Sequence, residues 1–285
     1  MEPARCRLFS VIGERMRPFI TAKDNPKYKL WKSLSSRKHR EKEGLFLTEG
    51  PVLIEEALGS ERTLTEALII RSGSEDNEDT AALAEKAESL NVKVYVLSGQ
   101  LFDELTDTET GRDAIAVLRI PGNLPESVEN GLVILDRIQD PGNMGTILRT
   151  AEAAGFDGVV AIKGTVDAFS PKVVRAAAGA VLRMPIRYVD SEEEAVKICR
   201  EEGLLVVAGD PLGENLYEAG DLSGRTALVI GNEGAGVSDS LLARADIRAG
   251  IPMEGNTESL NAAVAAAIMM YEIVRQRGQM TCRKN

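Results

Sequence analysis

Histidine and cysteine are scarce in this chain of 285 residues: one histidine, His39, and three cysteines, Cys6, Cys199 and Cys282. The cysteines lie far apart and form no CxxC pair, which speaks against a thiolate zinc site and against a disulfide framework. With so few imidazoles, metal-assisted hydrolysis and Ser-His-Asp chemistry have little to build on. No apolar run reaches the roughly twenty residues of a membrane span, and the charged N-terminus has no signal-peptide core. The expectation is a cytoplasmic protein without a membrane partner. Positive charge is also in deficit, with 34 Lys and Arg against 44 Asp and Glu, a net −10. Taken alone, that balance argues weakly against a polyanionic partner. Residues 1–45 reverse it locally, with 12 Lys/Arg and 5 Asp/Glu, so that the remainder carries −17. A basic segment can make phosphate contacts even in an acidic protein.

A hydrophobic fraction of 44% is enough for real cores, and the pattern alternates between strand and helix. Strands are expected at 46–50, 67–72, 92–98 and 113–120, with helices at 51–59, 78–91 and 101–107. Pro51 suits a first helical position. The stretch 119–131, RIPGNLPESVENG, holds two prolines and two glycines and reads as a linker. A second series follows, with strands at 132–136, 158–164, 204–210 and 227–231 and helices at 144–155, 170–181, 191–203, 238–246 and 259–277. Ser238 is a plausible cap for its helix. Both halves read as α/β, divided as residues 1–118, a linker at 119–130, and 131–285.

Three segments of the second half combine a strand end, a polar loop and a helix start. In 136–150, DRIQDPGNMGTILRT, a strand stops at Asp136 and a Pro/Gly/Asn loop leads into a helix. The carboxyl ends of strands are where open α/β sheets bind ligands. Asn143 sits at or near the helix N-cap, and capping alone would account for it. Arg149, six residues on, reads by itself as a solvated helix charge. In 227–236, ALVIGNEGAG, a hydrophobic strand runs into a loop with three glycines. Their spacing is neither the dinucleotide fingerprint nor a P-loop, so an ordinary glycine turn and a ligand loop stand equal. In 251–265, IPMEGNTESLNAAVA, a polar loop precedes the longest helix. Thr257 or Ser259 would serve as its cap, whereas Asn261 inside the helix is harder to dismiss as structural, because Asn is a mediocre helix former.

Together these segments resemble the three signature motifs of the SpoU (TrmH-type) RNA 2′-O-ribose methyltransferases of the SPOUT superfamily: D-x-x-x-D-P-x-N-x-G-x-I-x-R-T, G-N/S-E-x-x-G and I-P-M-x-G-x-x-E-S-L-N-A-A/V. They occur in the family's order, and the likeness covers about residues 131–277. More loosely, FLTEG followed by a helix and the strand DAIAVL resemble an L30e-like substrate-binding domain. The resemblance implies a C-terminal SPOUT-type parallel sheet with a trefoil knot and an N-terminal L30e-like α/β domain. It also implies a homodimer packed through the knotted domain. The Ala-rich stretch Ala262–Ala267 could supply that close-packing surface, or simply core.

The implied activity is S-adenosyl-L-methionine-dependent methylation of a ribose 2′-hydroxyl, in ribosomal RNA by virtue of the appended N-terminal domain, with no metal. Carried over by position, the cofactor contacts are Gly231, Ile251 and Leu260, with Met253 and Ala208 at the end of a strand. Asn143, Arg149, Glu233, Ser259 and Asn261 form the catalytic polar set. Family precedent lets Arg149 activate the hydroxyl, but a guanidinium is essentially never deprotonated. Holding RNA phosphate and stabilising the developing oxyanion suits it better. The basic run Arg37, Lys38, His39 and Arg40 is the candidate RNA-docking segment, against the plainer reading of a solvated face. Competing readings are a tRNA 2′-O-methyltransferase, a non-catalytic RNA-binding or assembly factor with the same fold, and a Rossmann-type nucleotide enzyme. The glycine spacing disfavours the last.

Overall fold

The computed structural model of the protein describes residues 9–12, 15–106, 113–122, 124–256 and 259–278; Cys6, Cys282 and Thr257 lie outside them. The chain forms two compact units that divide between Pro121 and Gly122, the first also taking in Phe169–Pro171.

The first unit contains β1 (Phe9–Ile12), β2 (Arg15–Ile20), α1 (Pro26–Ser33), α2 (Arg37–Glu43), β3 (Leu45–Glu49), α3 (Pro51–Leu58), β4 (Thr65–Arg71), α4 (Glu78–Ser89), β5 (Lys93–Leu97), α5 (Gly99–Asp103) and β6 (Ala114–Arg119). Its sheet has the order β1-β2-β5-β4-β6-β3 and is mixed, β2-β5-β4 being parallel and the other pairs antiparallel. The apolar runs of β4, β5 and β6 bury nearly every side chain, as central strands covered on both faces must. Trp31 of α1 meets Tyr95 of β5 edge to face at 5.3 Å. Strands β1 and β2 were not legible in the basic, turn-rich N-terminal sequence.

The second unit contains β7 (Gly131–Asp136), α6 (Pro141–Ala153), β8 (Gly158–Ile162), α7 (Pro171–Ala176), α8 (Ala180–Arg183), β9 (Ile186–Val189), α9 (Glu192–Glu201), β10 (Leu205–Asn215), β11 (Thr226–Gly231), α10 (Asp239–Leu242), β12 (Ile247–Gly250) and α11 (Ala262–Gln276). Its six strands run β12-β10-β11-β7-β8-β9, and every pairing is parallel. Continuous runs such as LVILD and ALVI are buried throughout, as a doubly covered parallel sheet requires. The chain proceeds from β7 to β8 on one side, while β11 flanks β7 on the other. That reversal of strand order is a topological switch, and the crevice outside the strands' carboxyl ends is the place for a ligand.

Several expected elements differ. The helix expected over 170–181 is two short pieces, because Ala178 and Gly179 take left-handed φ values of 44° and 87°. The break fits close packing: a Cβ on Gly145 of α6 would stand 2.4 Å from the Ala176 Cβ. Strand β9, in MPIRYVD, was not anticipated. The helix expected over 238–246 is the single turn α10, and Ser238 caps it with its carbonyl, which accepts from Leu241 and Leu242, rather than with its side chain.

Candidate active site

The parallel register sets Asp136, the last residue of β7, beside Gly231, the last of β11. The first and second motifs are thereby neighbours, although 95 residues separate them. Past Asp136 the chain turns and enters α6 with Pro141 at its first position. The cap is Asp140, whose carboxylate accepts from the Asn143 backbone N–H at 2.8 Å. This corrects the expectation that Asn143 caps the helix. Asn143 lies inside the first turn, 8% exposed, and its side chain is free for other work.

That work is a chain of hydrogen bonds across all three motifs. Asn261 is the N-cap of α11, not an interior residue, and displaces Ser259 and Thr257 from that role. Its Oδ1 accepts from the backbone of Ala263 and Val264. The Nδ2 is thus left to donate, and it does so to Asn143 Oδ1 at 2.9 Å. The Asn143 Nδ2 then donates to Glu233 Oε1 at 3.0 Å, while the same carboxylate accepts from the backbone of Gln139 (3.2 Å) and Asp140 (3.1 Å). An ionised carboxylate only accepts, so this sequence fixes the orientation of both amides. Burial pushes the Glu233 carboxyl up, but the Asn143 amide and the backbone N–H groups outweigh it and hold the group below the usual carboxylate range.

The glycine loop is pinned just as closely. Asn232 donates from Nδ2 to the Arg137 carbonyl at 2.8 Å and accepts at Oδ1 from Gly234 (2.9 Å) and Ala235 (3.0 Å). Asn232 and Gly236 exchange backbone hydrogen bonds at 3.0 and 2.9 Å. Fully buried Asp136 accepts from the Ser238 backbone at 2.8 Å and pairs with Arg137, itself at a left-handed φ of 59°. Gly231 has no alternative: a Cβ there would stand 2.1 Å from Gly236 C and Val237 N. Sequence reading did not single out Asp136 or Asn232 as site residues. The position of Asp136 at a buried strand end and of Asn232 inside the loop motif was the available signal.

These strand ends and loops enclose a cavity of about 440 Å³, within the range of small-molecule sites. Gly231, Glu233, Ile251, Met253, Ser259 and Leu260, all expected at the site, line it. Ala208 does not: it is fully buried in the sheet, and its neighbour Gly209 takes the place on the wall. Nor do Asn143 and Asn261 line it; Asn143 bonds Glu233, and Asn261 bonds Asn143 in turn. Arg149 is exposed on α6, makes no hydrogen bond or ion pair among the described residues, and lies off the cavity wall. Six residues from Asn143 place it about 120° round the helix. Among the described residues no three His, Cys, Asp or Glu side chains are grouped to hold a metal, and no helix is long and apolar enough to cross a membrane.

In the first unit, Lys38 and His39 are exposed on α2 and Arg37 pairs with Glu41. Arg40 points the other way. It is 4% exposed, and its guanidinium donates to the carbonyls of Leu34 (2.6 Å) and Ser35 (2.9 Å). Its charge is consumed in closing the end of α1, so it leaves the docking set.

Residues 130–271 match the SpoU rRNA Methylase family, and residues 25–116 match the MRM3-like substrate binding domain. The chain is 38% identical to the 23S rRNA (guanosine(2553)-2'-O)-methyltransferase RlmP of Bacillus subtilis (strain 168), over 89% of this chain and 98% of that protein. It is 35% identical to the 23S rRNA (guanosine-2'-O-)-methyltransferase RlmB of Coxiella burnetii, over 71% of this chain and 84% of that one. The solved structure of the SpoU methyltransferase AviRb from Streptomyces viridochromogenes in complex with the cofactor AdoMet superposes with a TM-score of 0.79 at 29% identity, covering 89% of this chain and 98% of that one. The ordered motifs, the all-parallel sheet with its ligand crevice and these full-length likenesses converge: the chain belongs to the SpoU rRNA methylase family.

Proposed function

We propose that this protein is an S-adenosylmethionine-dependent methyltransferase acting on a ribose 2′-hydroxyl of ribosomal RNA. The observation that carries the reading is the cavity at the switch point, built from the second and third motifs and tied to the first through Glu233, Asn143 and Asn261. Its walls suit the cofactor. Leu242, Ile251, Leu260 and Met269 offer apolar surface to an adenine and a thioether, and Glu233 and Asp239 offer negative charge to a sulfonium and an ammonium. No GxGxxG or P-loop is present to cradle phosphates. When bound, the cofactor supplies a methyl already activated by its sulfonium, so the protein has to orient the acceptor oxygen and handle its proton.

In this reading Gly231, Ile251, Met253 and Leu260 hold the cofactor. Ser259 and Glu233 present polar atoms at the cavity, with Asn143 and Asn261 fixing Glu233. Arg149, a free cation on the helix that carries Asn143, binds RNA phosphate and stabilises charge developing on the 2′-oxygen. Arg37, Lys38 and His39 help dock RNA on the first unit, with 1–118 as the substrate-binding domain, 119–130 as linker and 131–285 as the methyltransferase domain. A homodimer through the second unit belongs to the same proposal, supported by Val264 and Tyr271, 48% and 45% exposed on α11. Ala263 and Ala266, from the Ala-rich stretch, are instead buried within the unit. The trefoil knot expected from the resemblance belongs to the same proposal. So does a cytoplasmic location.

The test is mapping of 2′-O-methylation on total RNA from cells with and without the gene. Loss of one ribosomal RNA site is the expected result. Loss of a tRNA site would redirect the substrate, and an unchanged map together with S-adenosylmethionine binding would indicate an assembly factor.

A further inference from the structure

Strand β10 leaves its ladder with β12 after Gly209 and rejoins it at Glu214. The four residues between, Asp210 to Gly213, bulge onto the rim of the cavity, and three devices hold them there. Buried Asp210 accepts from Arg248 Nε at 2.8 Å through one oxygen and from the Leu212 backbone at 3.0 Å through the other. A Cβ on Gly213 would stand 2.5 Å from the Arg248 carbonyl oxygen, and one on Gly250 would stand 2.8 Å from that of Asp210. Only glycines permit so close an approach of bulge and strand.

This construction presents Leu212 to solvent at 89% exposure, the highest among the large apolar side chains described, on the wall of the cavity. Leaving a leucine in water forgoes its burial energy, and a solvent-facing bulge needs no leucine. The same wall continues into Ile251 and Leu260, so an occupant of the cavity would cover the side chain. We propose that Leu212 is a cofactor-contacting residue that packs on the face of the adenine ring, the one large apolar face the cofactor has. The inference rests on the cofactor assigned above, and the bulge sets affinity through shape rather than through a hydrogen bond.

Calorimetric titration of the full-length protein tests it, with S-adenosylhomocysteine and 5′-methylthioadenosine as ligands and Leu212→Ala and Leu212→Met as variants. Wild-type protein that binds neither ligand would overturn the cofactor assignment itself. If wild type binds, Leu212→Ala should weaken both ligands by the same factor, about tenfold, which is about 1.4 kcal/mol, and Leu212→Met should restore most of the loss. The fold should be unaffected, since the side chain lies outside the core. Unchanged affinities in Leu212→Ala would overturn the inference. So would weakening of S-adenosylhomocysteine alone, which would put Leu212 on the amino-acid end. A raised KM for RNA, or a changed oligomeric state, with cofactor affinity intact would equally overturn it, by giving the leucine another occupant.

Discussion

Substituting Gly231 by alanine puts the reading of the site under its sharpest strain. The added Cβ would stand 2.1 Å from Gly236 C and Val237 N, and 2.5 Å from the Gly236 carbonyl oxygen. Ordinary carbon contacts are about 3.5–4.0 Å, so one side of the loop must move by more than an ångström. All the crowded atoms are backbone, and no side-chain rotamer relieves them. Moving 236–237 also pulls on the Asn232–Gly236 pair and on the Ser238-to-Asp136 bond. Overpacking of this kind costs about 1–3 kcal/mol, and each net hydrogen bond lost adds about 1 kcal/mol. The sum is about 2–4 kcal/mol, spread between stability and cofactor affinity. Divided evenly, that is about 1.4 kcal/mol on each side, so Gly231→Ala should weaken S-adenosylmethionine binding about tenfold and lower the Tm by several degrees. Gly234→Ala is the control in the same loop. Its Cβ would meet nothing closer than Asn232 Oδ1 at 3.6 Å, and it should keep the Tm of wild type. Isothermal titration and scanning calorimetry on the pair decide the matter. Equal affinities for Gly231→Ala and wild type would refute the claim that this loop forms the cofactor wall.

Arg149→Ala should leave cofactor affinity unchanged while single-turnover methyl transfer falls about a hundred- to a thousandfold. Arg149→Lys should recover only part, since lysine keeps the charge but not the planar fork, and full rescue at alkaline pH would favour a literal base. Asn143→Ala takes the acceptor from the Asn261 Nδ2 and one of two donors from Glu233 Oε1, so denaturant melts should show a loss of about 1 kcal/mol for each net hydrogen bond. Because the folded-state pKa of Glu233 is depressed, its contribution is present above the unfolded pKa of Glu and lost as pH falls through the folded value. Stability of wild type should accordingly decline on acidification through and below the usual carboxylate range. Glu233→Gln should flatten that slope, and identical pH profiles for the two proteins would dismiss the role of the carboxylate.

The strand-and-helix alternation was legible because parallel strands buried on both faces read as uninterrupted apolar runs, as in LVILD and ALVIG. The three motifs announced the site, and Gly231, Glu233, Ile251, Met253, Ser259 and Leu260 all reach the cavity. What sequence could not show is which atom of a polar residue does what. Asn143 and Asp140 are three residues apart, both are good caps, and Pro141 at the first helical position settles the choice. Asn261 looked interior because the apolar pattern of α11 begins just after it. Arg40 sits in a basic run like its neighbours, and only the fold reveals that the Leu34 and Ser35 carbonyls claim it. The rim bulge was invisible, since DPLG reads as any turn until Arg248 and Gly250 are brought against it from β12.

The hydrogen bond between Asn143 and Asn261 joins residues 118 positions apart, and the central pairing of β7 with β11 spans 95. Contacts so distant in sequence form late and slowly. During synthesis, β7, β8 and α6 can emerge and pack long before α11 leaves the ribosome. The cavity has no far wall until Leu260 and the Asn261 cap arrive. Competence to hold the cofactor is therefore acquired in one step, when this last segment of the site emerges. A chain halted after Gly250 would carry every strand of its sheet but neither Ile251, Leu260 nor the Asn261 cap.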